Sequence, residues 1–110
     1  MEEIKSKIEP SDKEKLYRIV SSLPFKTLWI GKPLIVQETF KTRSSRGITK
    51  HYQITSLYIE DEVLFVAYYA YGFVYCGRVK DYSNVFISQI TKGIEVHTQE
   101  KELLEVVTNE

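Results

Sequence analysis

The sequence has few of the residues that build catalytic centres or structural cross-links. Its single cysteine, Cys76, excludes an internal disulfide and a cysteine-based zinc cluster. The two histidines, His51 and His97, have no cysteine or carboxylate partner at a recognisable metal-ligand spacing. The five glycines are scattered at turn positions and form no phosphate-binding loop. We therefore expect a protein that is not an enzyme and that uses no metal, cofactor or small-molecule substrate.

Long apolar segments are also missing. The first ten residues lack the apolar stretch of a signal peptide, and no run reaches the length needed to cross a bilayer. The longest mainly apolar stretch, residues 63–76, is rich in tyrosine and is interrupted by Gly72. These features predict a cytoplasmic protein that does not associate with a membrane.

The charge of the chain is balanced in total but not along its length. Fifteen basic and fifteen acidic residues give 110 residues a formal net charge of zero. Residues 26–50 nevertheless carry six basic side chains against Glu38, a local charge of +5. Residues 93–110 carry five glutamates against Lys101, a local charge of −4. The total argues against a protein that coats nucleic acid by bulk charge, but it allows a local basic surface.

The N-terminal part predicts one amphipathic helix. Ser11 and Glu14 have the spacing of a capping box, in which each side chain satisfies a free backbone amide. Apolar side chains then recur at helical spacing, at Leu16, Ile19, Val20 and Leu23. Pro24 cannot continue the helix and disfavours helical geometry before it. We predict a flexible N-terminus at residues 1–10, followed by a helix over residues 11–22.

From Thr27 onwards, short β-branched and aromatic runs alternate with turn residues. This pattern predicts strands over residues 27–30, 34–42, 48–59, 63–70, 73–80, 85–90 and 94–97. Period-two alternation in the long third strand predicts one shared face for Ile48, Tyr52, Ile54 and Tyr58. Because the connections are short, neighbouring strands should pair antiparallel.

These elements predict an α+β fold that is mainly β. The N-terminal amphipathic helix would pack on a strongly curved antiparallel sheet or on a small barrel of five to six strands, whose closure would remove exposed edges. Residues 11–98 would form a single domain. Residues 99–110 would form an acidic tail or a short C-terminal helix, since Leu103, Val106 and Val107 have helical spacing.

Aromatic residues are concentrated in one part of the chain. Residues 65–86 contain Phe65, Tyr68, Tyr69, Tyr71, Phe73, Tyr75, Tyr82 and Phe86. Successive strand residues face opposite sides, so these rings cannot all enter one small core, and we expect some to be exposed. Exposed rings could stack on bases or form a protein interface. The simpler interpretation is cross-strand packing, to which tyrosine is well suited.

A basic hairpin is the second unusual feature. Lys41, Arg43, Arg46 and Lys50 surround a loop that also contains two serines and Gly47. Cationic side chains, hydroxyls and loop amides all suit phosphate oxygens. The simpler interpretation is a solvated turn that aids solubility. A functional role becomes stronger if the fold gathers other cations on the same side, namely Lys26, Lys32, Arg78 and Lys80.

Together these features suggest a non-enzymatic nucleic-acid-binding protein that prefers single-stranded DNA or RNA. The predicted phosphate contacts are Lys41, Arg43, Arg46 and Lys50. The predicted stacking residues are Trp29, Tyr52, Tyr69 and Tyr71. The alternative is a small dimeric protein-interaction or inhibitor protein that acts on a nucleic-acid-processing partner, with surface tyrosines in its interface. A homodimer formed through the C-terminal segment or through an edge strand would suit either hypothesis.

Overall fold

A computed structural model describes residues 11–41, 43 and 46–95 of the chain. The predicted flexible segment 1–10 and the predicted acidic helix or tail at 99–110 lie outside the described residues. The helices are α1 (Asp12–Ser21) and α2 (residues 84–95). The strands are β1 (Thr27–Trp29), β2 (Ile35–Phe40), β3 (Ile48–Glu60), β4 (Val63–Ala70) and β5 (Phe73–Arg78). Short 3-10 turns occupy Pro24–Lys26 and Val79–Asp81.

The five described strands form one antiparallel sheet, so the predicted α+β class with a mainly β content is confirmed. Its strand order is β1-β3-β4-β5, and β2 also pairs with β3. β1 and β2 lie one after the other along the same side of the long strand β3. In the described residues the sheet is open, with β5 at one edge and β1 and β2 at the other, and it does not close into a barrel.

The sheet has two distinct ends. The end of β2, the start of β3 and the turn Tyr71-Gly72 lie at one end, which we call the hairpin end. The turn Asp61-Glu62 and the end of β5 lie at the other, the far end. Since β3 has 13 residues, the two ends are separated by roughly 40 Å. Both residues of each turn have positive φ, which is the geometry that matches a two-residue turn to the twist of its strands.

Helix α1 forms as its sequence predicts. Ser11 caps it and accepts a hydrogen bond from the backbone amide of Glu14 at 3.3 Å. The helix ends at Ser21, and Pro24 begins the 3-10 turn that leads into β1. Its apolar stripe packs against β1 and β3 and buries Leu16 and Val20 completely.

Helix α2 replaces two predicted strands. The prediction of a strand at 85–90 is wrong because residues 84–95 are helical, and residues 94 and 95 of the predicted last strand belong to the same helix. The buried side chains of this segment recur at helical spacing, at Phe86, Ile87, Ile90, Thr91 and Ile94. Ser83 accepts a hydrogen bond from the Phe86 amide at 3.1 Å and so caps the helix. Burial of this stripe outweighs the strand preference of its isoleucines.

Both helices cover the same face of the sheet. Leu64, Val66, Tyr68 and Ala70 of β4 are buried on that side, and the residues between them point to the other side. The buried apolar residues of both helices belong to the same cluster as these β4 side chains. We call the covered side the helix face and the opposite side, which carries Phe65 and Tyr69, the open face.

A β-bulge at Thr55 changes the predicted orientation of β3. The register with β4 shifts between Ile54 and Ser56, so one extra residue reverses the alternation beyond it. Ile54 faces the core, but Tyr58 lies on the open face, where it stacks on Phe65 with ring centroids 5.3 Å apart. The prediction that Tyr58 shares a face with Ile48, Tyr52 and Ile54 is therefore wrong.

Side-chain and backbone groups of the bulge residue are hydrogen-bonded. The Thr55 hydroxyl donates to the Ala67 carbonyl at 3.0 Å, and the Thr55 carbonyl accepts from the Ile30 amide at 3.0 Å. The bulge therefore leaves neither group unsatisfied, although it interrupts the ladder.

Gly93 allows α2 to approach the segment before β2. A Cβ atom at this position would lie 2.7 Å from Leu34 Cδ1 and 2.9 Å from Leu34 Cγ. We expect Gly93→Ala to destabilise the protein, because an overpacking cost of about 1–3 kcal/mol exceeds the roughly 1 kcal/mol that alanine gains in a helix. Urea unfolding followed by circular dichroism measures this change.

Gly31→Ala is the matched control. No atom lies within 4 Å of a Cβ placed at Gly31, so we expect its effect to stay within about 0.5 kcal/mol. A Gly93→Ala protein as stable as the parent would show that α2 does not need this close approach.

Candidate functional site

Three tyrosines form a row on the helix face, across three neighbouring strands. Tyr52 of β3 meets Tyr68 of β4 edge to face, with centroids 5.5 Å apart and planes at 88°. Tyr68 stacks on Tyr75 of β5 at 5.5 Å and 19°, because the two residues are directly paired in the ladder. We call these three residues the tyrosine row. Its geometry places aromatic surface continuously from β3 to the edge strand.

Two further rings, those of Tyr82 and Phe86, pack against the tyrosine row. Tyr82 and Phe86 pack on each other at 4.8 Å, and both contact Tyr68. The hydroxyls of Tyr68 and Tyr82 share a hydrogen bond of 2.9 Å. Gly77 makes room for this arrangement, since a Cβ there would lie 2.6 Å from the Tyr82 hydroxyl oxygen. Tyr68, at the centre of the row, is thereby packed against both supporting rings, and Tyr52 also contacts Phe86.

A cavity of about 180 Å³ opens beside the tyrosine row at the hairpin end. It is lined by Lys50, Tyr52, Tyr68, Ala70, Tyr71 and Tyr75. This volume is below the roughly 300–1,000 Å³ of typical small-molecule sites. It suits a single flat ring system that lies against aromatic side chains.

The charged groups beside the cavity are Lys50 and Glu38, which face each other across β3 and β2. The Lys50 ammonium lies 5.2 Å from the centre of the Phe40 ring. The Glu38 carboxylate accepts a hydrogen bond from the Ser83 hydroxyl at 3.3 Å and another from the Tyr52 hydroxyl. Lys50 therefore lines the cavity directly, whereas Glu38 is connected to it through the Tyr52 hydroxyl.

Burial and this carboxylate act on the Tyr52 phenol together. Burial, then the hydrogen bond to Glu38 and its negative charge, raises the pKa of Tyr52 to about 12. Tyr52 is therefore a neutral hydrogen-bond donor at physiological pH.

Six of the eight residues that the sequence singled out lie at the hairpin end. Lys41, Arg43 and Arg46 are exposed in the loop between β2 and β3. Lys50, Tyr52 and Tyr71 line the cavity itself. The basic loop and the aromatic cavity thus lie at the same end of the sheet.

The other two lie on the open face. Trp29 is 74% exposed and pairs with Ser56, and Tyr69 pairs with Gln53 and Val74. The sheet separates both rings from the cavity, so one bound ring cannot contact them and the tyrosine row together.

Three of the four additional cations lie away from the hairpin. Arg78 and Lys80 lie at the far end, where the Arg78 guanidinium is 3.0 Å from the Asp81 carboxylate. Lys26 immediately precedes Thr27, which pairs with Tyr58, so Lys26 also lies towards that end. The phosphate-binding interpretation would be stronger if the fold gathered the other cations beside the basic hairpin. Arg78, Lys80 and Lys26 do not lie there.

Two cavity residues, Tyr68 and Tyr75, were not among the predicted stacking residues. Their positions follow from the turn Tyr71-Gly72, because a two-residue turn fixes the register and places Tyr68 opposite Tyr75. The sequence signal was available in the two short strands that flank this turn. This signal identifies Tyr68 and Tyr75 as a cross-strand pair. It does not show whether their face of the sheet remains accessible, because that depends on where the helices pack.

A second cavity of about 350 Å³ lies at the far end, between α1 and the start of β4. The Tyr17 hydroxyl donates to the Glu62 carbonyl at 3.2 Å beside it, and the Lys13 ammonium donates to the Lys80 carbonyl at 3.0 Å. These hydrogen bonds attach α1 to the sheet.

No cluster of three or more histidine, cysteine, aspartate or glutamate side chains that could hold a metal ion occurs in residues 11–41, 43 and 46–95. Within the same ranges, neither helix has the length and apolar character required to cross a membrane. In comparisons with known proteins, no family model, curated protein or solved structure matches this chain.

Three partly buried phenols, those of Tyr52, Tyr58 and Tyr82, predict a loss of stability in alkaline solution. Burial also raises the pKa of Tyr58, which is hydrogen-bonded to Cys76, and that of Tyr82, which is hydrogen-bonded to Tyr68. A pKa that is higher in the folded state contributes stability that is complete below the unfolded value and is lost as the pH rises through the folded value. For Tyr52 this window extends from pH 10 to about 12. We expect the free energy of urea unfolding to fall across that range.

An absorbance titration of tyrosinate separates this effect from general alkaline damage. Tyr52→Phe should remove part of the late-ionising absorbance and make the loss of stability less steep. If Tyr52→Phe retained the full late absorbance, the assignment of the raised pKa to this phenol would be wrong.

Proposed function

We propose that this protein binds single-stranded DNA or RNA and catalyses no reaction. Lys41, Arg43 and Arg46 between β2 and β3 would contact phosphates, and the cavity beside the tyrosine row would accept one base. The observation that carries this proposal is that an aromatic cavity with Lys50 on its rim opens at the same end of the sheet as the basic loop.

The shape of the cavity favours a single strand. A base can enter a pocket between tyrosine rings only when it is unstacked and free of a paired strand. The cavity volume of about 180 Å³ suits one flat ring and not a larger ligand. Tyr71 lies in the turn at one side of the cavity, so its exposed ring is well placed to cover a base that rests against Tyr52 or Tyr75.

The charges supply the second part of the interaction. Lys41, Arg43 and Arg46 carry positive charge in an exposed loop, and such side chains fix the register of a nucleic-acid backbone without reading its sequence. Glu38 lies opposite Lys50 and offsets its charge at the cavity. The loop cations would therefore supply most of the attraction to phosphate. Trp29 and Tyr69, on the open face, take no part in this arrangement.

Removing two loop cations should weaken binding in a salt-dependent way. We expect Arg43→Ala with Arg46→Ala to lower the affinity for a fluorescent oligothymidylate, measured by anisotropy at several salt concentrations. Two lost phosphate contacts should reduce the slope of log affinity against log salt by about 1.4.

Arg18→Ala with Lys80→Ala is the control, because it removes the same charge from exposed positions away from the hairpin end. It should leave the salt slope almost unchanged. Equal losses in the two double variants would indicate non-specific attraction to the whole surface. Absence of binding by the parent protein at low salt would overturn the proposal.

Loss of the Tyr71 ring tests the cavity separately from the loop. We choose Tyr71→Asn because asparagine tolerates the positive φ of 51° at this turn position. The expected cost is about 1–3 kcal/mol of binding, the value of one stacked base. Tyr69→Leu, on the open face, should bind as the parent does.

Trp29 provides an internal optical control. It is the only tryptophan and lies on the open face, so its fluorescence should stay constant when an oligonucleotide binds. Strong quenching together with a loss of binding in Tyr69→Leu would place the nucleic acid on the open face and contradict the proposed site.

A further inference from the structure

The two edge strands of the sheet differ in whether their outer backbone groups are hydrogen-bonded. At the β2 edge, the side-chain amide of Gln89 in α2 bonds both backbone groups of Gln37. Its Nε2 donates to the Gln37 carbonyl at 2.8 Å, and its Oε1 accepts from the Gln37 amide at 2.9 Å. Helix α2 therefore occupies the hydrogen-bonding positions of a neighbouring strand at this point, which protects the edge.

The β5 edge has no such protection in the described part of the chain. β5 pairs with β4 on one side, and no described strand or side chain bonds its outer side. Its pairing with β4 runs without a bulge from Phe73 to Arg78, and its sequence contains neither proline nor lysine. Phe73 and Val74 are 66% and 72% exposed. A regular, apolar and open edge strand is a template for another strand.

The turn before β5 determines which backbone groups are available. In a two-residue turn the flanking residues, Ala70 and Phe73, form a hydrogen-bonded pair. Because bonding direction alternates along an antiparallel strand, Phe73, Tyr75 and Gly77 bond towards β4. Val74, Cys76 and Arg78 then direct their N–H and C=O groups outwards.

We propose that β5 pairs antiparallel with β5 of a second copy of this chain, across a two-fold axis. The resulting interface uses the same strand on both sides, as a closed dimer requires. The two copies are complementary because each β5 directs N–H and C=O groups outwards at alternate residues. Each also has apolar side chains on both faces of the strand.

The charges of β5 suit a partner identical to itself. Arg78 is the only ionised side chain in the strand, and Asp81 lies 3.0 Å from it. Antiparallel pairing places the two Arg78 residues at opposite ends of the interface, where they do not repel each other. The zero net charge of the chain adds no long-range repulsion between copies.

The exposed side chains give the interface a modest size. Phe73, Val74, Tyr75 and the adjacent turn would bury on the order of 1,000 Å² in total, at the low end for a specific interface. Association should therefore depend on protein concentration. Tyr75 lies near the two-fold axis, so the two tyrosine rows would meet on one face of a continuous sheet.

Sedimentation equilibrium of the full chain, under reducing conditions and without nucleic acid, tests the dimer. The expected mass at high concentration is twice the chain mass of 12.9 kDa. Val74→Lys places a charge at the centre of the interface but at an exposed site of the monomer. It should raise the dissociation constant at least about tenfold, equivalent to 1.4 kcal/mol.

Val85→Lys is the matched control. Val85 is 65% exposed on α2, and the same substitution there should leave the dimer intact. Cys76→Ser should also remain dimeric, because the association needs no disulfide. Hydrogen exchange should show that the Cys76 and Arg78 amides lose protection in Val74→Lys, while core amides of β3 and β4 keep theirs.

A parent protein that stays monomeric at its highest soluble concentration would overturn the proposal. So would a Val74→Lys protein that dimerises as tightly as the parent. Because this measurement contains no nucleic acid, its outcome is independent of the proposed binding function.

Discussion

The packing of Phe86 against Tyr52, Tyr68 and Tyr82 is the interaction on which the rest of this structure depends. It fixes helix α2 on the sheet, and α2 then completes the apolar core with Ile87, Ile90 and Ile94. The same contact holds the tyrosine row from behind, so the core and the candidate site share one set of rings. It also positions Gln89 at the β2 edge. A single aromatic cluster therefore connects stability, the cavity and the protection of one side of the sheet.

The position of α2 makes the molecule asymmetric. One face of the sheet is covered by helices and the other is open. One edge, at β2, is bonded to the Gln89 side chain, and the other, at β5, has no such bond within residues 11–41, 43 and 46–95. Aromatic residues occur on both faces because tyrosines follow one another in β4. Tyr52 and Tyr68 on the helix face each contact several further rings, whereas Trp29 and Tyr69 on the open face stack on no other ring among the described residues. Fixed rings lose less conformational entropy when a flat ligand binds. This difference favours the tyrosine row over Trp29 and Tyr69 as a binding surface.

Much of the fold could be predicted because local signals agreed with tertiary packing. Residues 63–70 were predicted as a strand with its observed bounds, and the cap at Ser11 and the stop at Pro24 located α1. Two features could not be found in this way. The isoleucines of α2 favour strands locally, and helical burial decides against that preference. The bulge at Thr55 moves Tyr58 from the helix face to the open face, and no glycine or proline in β3 indicates it. For the candidate site, the sequence identified the hairpin cations and Tyr71. It could not predict which aromatic side chains the helices leave accessible.

By itself the sequence determined the local elements: a capped helix, antiparallel strands with short connections, and a basic loop beside a region dense in tyrosine. It also determined that the net charge of zero is the sum of unlike segments. Only the tertiary structure decided which of these segments meet. It brought Lys50, Tyr52 and Tyr71 to one cavity and placed Trp29, Tyr69 and Arg78 elsewhere. The physical reason is that strand alternation is a local rule, whereas the choice of covered face depends on where distant apolar stripes find the best packing.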